Sequence, residues 1–99
     1  MKIYLSGKIT GTFDYEQKFR QYEKIVHSQY PHAEIVNPVL IGKSVEAKIN
    51  NPTWWDYMKP CIRVLNTCTH IFMLPDWQES RGAKYELETA KSLGLTVLS

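Results

Sequence analysis

Long hydrophobic runs are missing from this chain. No apolar stretch reaches the roughly 18 residues that a membrane-spanning helix needs, and Met1-Lys2-Ile3-Tyr4-Leu5 is too short an apolar opening for a secretory signal. No run of like charge is present either. Twelve Lys and Arg stand against 10 Asp and Glu, and the net charge of +2 is too small and too scattered for a nucleic-acid polymer partner. Only two cysteines occur, Cys61 and Cys68. Seven residues apart on one expected helix, they lie roughly 10 Å apart along its axis, too far for a disulfide. They read as reduced thiols in a cytosolic protein. The three histidines, His27, His32 and His70, show no metal-ligand spacing with cysteines or acids. No metal or cofactor is therefore expected. Repeats, linkers and low-complexity segments are absent as well. With 99 residues the chain is one domain. A core of that size is marginal, so pairing into a homo-oligomer, a dimer or higher, is expected.

The elements that remain alternate. Lys2 to Leu5 reads as a strand that breaks at Ser6-Gly7. Asp14 to Tyr30 carries Tyr15, Phe19, Tyr22 and Val26 at helical spacing, with Thr12 or Asp14 as its cap and Pro31 as its stop. Ala33 to Val36 is a second strand, halted by Asn37-Pro38. Val39 to Asn51 lacks clear periodicity and reads as a long connection. Asn51-Pro52 reads as a helix start, with the helix running to about Thr67 and bending or restarting at Pro60. His70 to Leu74 is a third strand, ended by Pro75. Ser80 to Leu93 is a helix with Gly94 as C-cap, and Leu95 to Leu98 is a fourth strand. Such alternation predicts a three-layer α/β/α fold, a short doubly wound parallel sheet of about four strands of the Rossmann or flavodoxin type. Ligands bind such sheets beyond the carboxyl ends of the strands. There Ser6 to Gly11, the segment from Asn37 and Pro75 to Gly82 collect.

Three features on that edge bear chemistry. In Ser6-Gly7-Lys8-Ile9-Thr10-Gly11, two glycines let the backbone approach a ligand, and Ser6, Lys8 and Thr10 offer donors to phosphate or sugar oxygens. The segment is not a P-loop or a dinucleotide fingerprint, and a plain strand-to-helix turn explains it equally. On the last helix, at roughly 100° per residue with Ala83 as zero, Glu86 falls near −60°, between Ala90 and Leu93 on the apolar arc. A carboxylate there is either held out of water, where functional groups with shifted pKa gather, or reaches solvent or a lysine from the stripe's edge. Ser80-Arg81-Gly82 opens the same helix. Its free N–H groups, hydroxyl and guanidinium suit an anion, although Ser80 as a simple N-cap accounts for it too.

In this order and spacing the features resemble the nucleoside 2-deoxyribosyltransferase superfamily. Ile3 to Gly11 resembles the first strand and loop of these transferases and of the deoxynucleoside 5′-monophosphate N-glycosidases. Ser80-Arg81-Gly82-Ala83-Lys84-Tyr85-Glu86-Leu87 resembles their second signature, a Ser or Asp, a glycine, then Glu-Leu on a helix. The likeness runs end to end and is nearest to a compact phage and bacterial branch. It implies that Glu86 is the nucleophile attacking the anomeric carbon of a deoxyribose, forming a glycosyl-enzyme ester. Ser80 would take the place of a sugar-binding Asp, as in members that use monophosphates. Gly7, Lys8, Thr10 and Gly11 would line the sugar-phosphate side together with Ser6, Arg81 and Gly82, Tyr85 would support them, and Asn37 and the segment Val39 to Trp55 would border the base. Trp54, Trp55 or Tyr57 would stack on it. One departure is plain. The Asp that orients or protonates the base in the family is Cys61 here, with Asp56 more than a turn earlier, and a thiol is a poor general acid at neutral pH. The ligand implied is a nucleoside or nucleotide, cleaved or transferred at its N-glycosidic bond. The alternatives are a non-catalytic module that sequesters or senses a nucleotide, and an interaction protein that keeps only the fold.

Overall fold

A computed structural model describes all 99 residues. The order is β1 (Lys2–Ser6), α1 (Tyr15–Gln29), β2 (Glu34–Val36), α2 (Pro38–Lys48), α3 (Trp54–Leu65), β3 (His70–Met73), a short 3-10 turn (Trp77–Glu79), α4 (Arg81–Leu93) and β4 (Thr96–Leu98). The four strands are all parallel, in the order β2-β1-β3-β4. The chain leaves β1 for β2 on one side and returns past β1 to β3 on the other. That reversal is the doubly wound, flavodoxin-type arrangement, and its switch point lies between β1 and β3.

Both faces of the sheet are covered, so β1 and β3 are apolar on both sides. Side chains alternate along each strand. Ile3, Leu5, Phe72 and Leu74 face Phe19 and Val26 of α1, joined by Val39. Tyr4, Ile71 and Met73 face Cys61 and Leu65 of α3, Cys68, and Ala83, Leu87 and Ala90 of α4. The register pairs Tyr4 with Ile71 and Ser6 with Met73. Tyr4 and Ser6 therefore project from one strand towards α3 and α4.

Three elements differ from the sequence reading. The connection expected at Val39 to Asn51 is largely helix α2. Asn37 caps it through a hydrogen bond accepted from Val39 N at 3.0 Å, and Pro38 fills its first turn. Asn51-Pro52 does not start α3. Asn51 takes a left-handed φ of 52°, and Thr53 caps the helix two residues later in a reciprocal capping box with Asp56. The helix also runs unbroken through Pro60. Asp14, one of the two expected caps, is the cap of α1, while Leu93, placed on the apolar arc of α4, is 44% exposed at its end.

Gly7, just past β1, lies tight against Leu74, just past β3. A Cβ there would sit 2.8 Å from Leu74 Cβ and 3.0 Å from Leu74 Cδ2. Because Leu74 is fully buried, it cannot withdraw. Gly7→Ala is expected to destabilise by about 2 kcal/mol through overpacking, read as a lower denaturation midpoint with unchanged slope.

Candidate active site

A cavity of about 230 Å³ opens beyond the carboxyl ends of β1 and β3. The loop after β1 contributes Gly7, Ile9 and Thr10, α2 contributes Val39, Gly42 and Glu46, and α3 contributes Trp54, Tyr57, Met58 and Cys61. Ser80, Gly82, Ala83 and Glu86 close it from α4. Gly82 lets the two helices approach, since a Cβ there would meet Met58 Sδ at 3.3 Å.

Glu86 forms the floor. It is 6% exposed, on the buried face of α4 between Ala83 and Ala90. Its Oε2 accepts from the Tyr4 hydroxyl at 2.5 Å, and its Oε1 accepts from the Ser6 hydroxyl at 2.7 Å. No buried side-chain polar atom in the protein lacks a partner. Burial raises the Glu86 pKa to about 7, against the lowering effect of the two hydroxyl donors. Burial, with the neighbouring Glu86 charge, likewise holds the Tyr4 hydroxyl well above the ordinary phenol value. Tyr4 is thus a neutral donor throughout the physiological range. A carboxyl half-ionised near neutrality, with one lone pair left on each oxygen, can act as nucleophile or base.

Cys61 stands beside this pair. Its thiol is raised to about 11, by burial first and then by the Glu86 charge, so it is protonated at neutral pH. Asp56 does not take its place. Its Oδ2 accepts from Thr53 N at 2.8 Å, and it lies in a separate groove with Lys59 and Arg63. Glu46 is the second carboxylate of the cavity, an exposed residue at the rim, and accepts from the Tyr57 hydroxyl at 2.8 Å. Lys43 at the same rim faces Glu16, 3.2 Å away.

The expected site residues divide. Glu86, Gly7, Thr10, Ser80 and Gly82 meet around the cavity, and Ser6 stands behind Glu86. The Ser80 oxygen accepts from Ala83 N at 3.0 Å, which caps α4 and leaves its proton free to donate. The others do not line the cavity. Asn37 is committed to capping α2, with its amide donating to Glu23 Oε1 at 3.2 Å. The Lys8 ammonium turns towards Glu79, 4.0 Å away, while the Lys8 N–H donates to Asp76. Gly11 serves the turn with φ 76° and no atom near it. The Arg81 guanidinium sits over the Trp54 ring, 3.8 Å from its centroid. Tyr85 packs edge-on against Trp54 and Trp55, at 5.8 and 5.7 Å. Of the aromatics expected near the base, Trp54 and Tyr57 line the cavity and Trp55 stacks outside it.

Two supports were not expected from sequence. Tyr4 is one, although two polar side chains on the same face of an otherwise apolar central strand are a legible signal. The other is Asp76, which binds the Lys18 ammonium at 2.5 Å and the Lys8 N–H at 3.1 Å. Lys18 also donates to the Lys8 carbonyl at 2.6 Å. Together they pin the first loop against α1 and the end of β3. Burial opposes the Asp76 charge, but the Lys18 and Lys8 hydrogen bonds prevail and set its pKa below the usual carboxylate value.

The fold and the cavity define a small doubly wound α/β domain with a buried carboxylate at its switch point. The chain belongs to the family described as domain of unknown function (DUF4406), whose model matches residues 1–99. Comparison with curated proteins finds no match. No helix is long and apolar enough to cross a membrane.

Proposed function

We propose that this cavity cleaves or transfers the N-glycosidic bond of a deoxynucleoside or its 5′-monophosphate, with Glu86 as nucleophile. The supporting observation is the Glu86 carboxyl on the cavity floor, clasped by the Tyr4 and Ser6 hydroxyls. The resemblance of the β1 loop and the α4 signature to the deoxyribosyltransferases gives the substrate class. The ionised carboxylate attacks the anomeric carbon, a C–O ester bond forms as the C–N bond breaks, and the base leaves with the bonding pair. Solvent protonates the base, because the Cys61 thiol is too weak an acid to do so. Water or a second base then releases the sugar. The Ser80 proton and the loop Gly7 to Thr10 bind the sugar or its phosphate. Pairing of subunits is part of this reading. Only 22 of 99 residues are buried, a small core for an open sheet, and light scattering gives the oligomer size.

The test is incubation of the protein with each deoxynucleoside and each 5′-monophosphate, followed by chromatography for free base. Release is expected from at least one. Its rate should rise with pH through about 7 as Glu86 ionises. Absence of free base from every substrate overturns the reading. A second reading, a module that binds a nucleotide without cleaving it, is favoured by the thiol at position 61. Calorimetry showing tight binding with no turnover supports that alternative.

A further inference from the structure

The rim of the cavity carries recognition chemistry that the glycosidic reaction does not use. Glu46 and Tyr57 come from α2 and α3, eleven residues apart in sequence, and meet through a 2.8 Å hydrogen bond. Both line the cavity whose floor is Glu86. Gly42, one turn before Glu46, lies beside the Tyr57 ring, which a Cβ added there would touch at an ordinary 3.8 Å. The hydrogen bond to Glu46 holds the Tyr57 proton in place, raising its pKa above the ordinary value. The Tyr57 proton is therefore committed to the carboxylate.

What remains at this rim is acceptors. Glu46 Oε1 has no partner within the protein, Oε2 has a lone pair left, and the Tyr57 oxygen has its own lone pairs. The one cation lining the cavity, Lys43, is turned to Glu16. The other carboxylates nearby are engaged, Glu86 by Tyr4 and Ser6 and Glu16 by Lys43. Asp56 is held in its capping box and Asp76 by Lys18. Glu86 is buried at the floor of the cavity and Glu46 is exposed at its rim, so a ligand whose sugar faces Glu86 would present its base on the side where Glu46 stands.

We propose that Glu46, held by Tyr57, is the residue that selects the base, favouring one that carries an exocyclic amino group over one that carries a carbonyl oxygen at the same position. This rests on the glycosidic reading of the cavity. An amino group donates to the free Glu46 oxygen, whereas a carbonyl in its place sets two acceptors against each other. A rim position open to water limits the discrimination to about tenfold or somewhat more, below that of a fully desolvated pair.

Two substrate pairs isolate the effect: deoxyadenosine against deoxyinosine, and deoxycytidine against deoxyuridine, each also as the 5′-monophosphate. The comparison uses kcat/KM for base release, and binding by calorimetry. The wild type is expected to prefer the amino-bearing member of whichever pair it accepts, by about tenfold. Glu46→Gln, which replaces one acceptor by a donor, is expected to bring the ratio near unity or invert it. Tyr57→Phe frees the carboxylate to swing and should lower the ratio in part. A general loss of structure would depress both members of a pair equally, so the ratio separates recognition from folding. Wild-type cleavage with no amino preference, or a preference that survives Glu46→Gln, overturns this proposal and leaves the glycosidic reading standing. Cleavage confined to substrates outside these pairs also overturns this proposal, and absence of free base from every deoxynucleoside and 5′-monophosphate overturns both.

Discussion

Glu86→Gln is expected to abolish base release, by at least about a thousandfold, and at the same time to make the protein more stable in alkaline solution. The two effects share one cause. Burial raises the folded-state pKa of Glu86 from an ordinary 4.5 to about 7. Between these values the folded protein holds a proton that the unfolded chain has released, so stability falls as pH rises across that window. The loss is complete above about pH 7 and amounts to roughly 3 kcal/mol. Glutamine carries no charge to desolvate, and its amide can accept from one hydroxyl and donate to the other. The variant should therefore exceed the wild type by about 2–3 kcal/mol at pH 8 and match it near pH 4, below the unfolded-state value. Chemical denaturation at both pH values measures this difference. A variant less stable than the wild type at pH 8 would show that the Tyr4 and Ser6 donors more than offset the burial of the charge.

Tyr4→Phe has the second largest expected effect, and it runs in the opposite direction. Removing the hydroxyl leaves Glu86 Oε2 without its donor on a carboxyl that is only 6% exposed. The ionised form suffers most, since hydrogen bonds to charged groups contribute about 1.5–3 kcal/mol. Destabilisation of that order is expected at pH 8 and much less at pH 5, where the carboxyl is protonated. The Glu86 pKa should move further up, so the rising limb of the pH–rate profile shifts to alkaline pH. Rates measured from pH 5 to 9 for both proteins test the shift. Coincident profiles would mean that the Tyr4 hydroxyl does not tune the carboxylate.

Much of the fold was legible because the strands are short apolar runs cut by glycine or proline, and because α1 and α4 keep a clean helical period. The position of Glu86 followed from that period alone. What it meets did not, since Tyr4 and Ser6 lie some eighty residues away and are brought to it only by the pairing of β1 with β3 and the packing of α4. Helix α2 escaped because its apolar residues run together. Val39 and Val45 are buried while Leu40 is largely exposed, so no single stripe marks the core face. Glu46 was missed along with it. Asn37, Lys8, Arg81 and Tyr85 are of the right chemical kinds, but each is engaged by a neighbour: a helix cap, Glu79, the Trp54 ring and the paired tryptophans. Residue type announces what a side chain can do, and only packing decides whether it is free to do it.

The stack of Arg81, Trp54, Trp55 and Tyr85 has an optical consequence. Trp54 is both a wall of the cavity and a member of that stack. Indole emission responds to nearby charge, to stacking and to displaced water. A molecule entering the cavity perturbs all three at once, so occupancy changes the intrinsic fluorescence of the protein, and titration without any label can follow it.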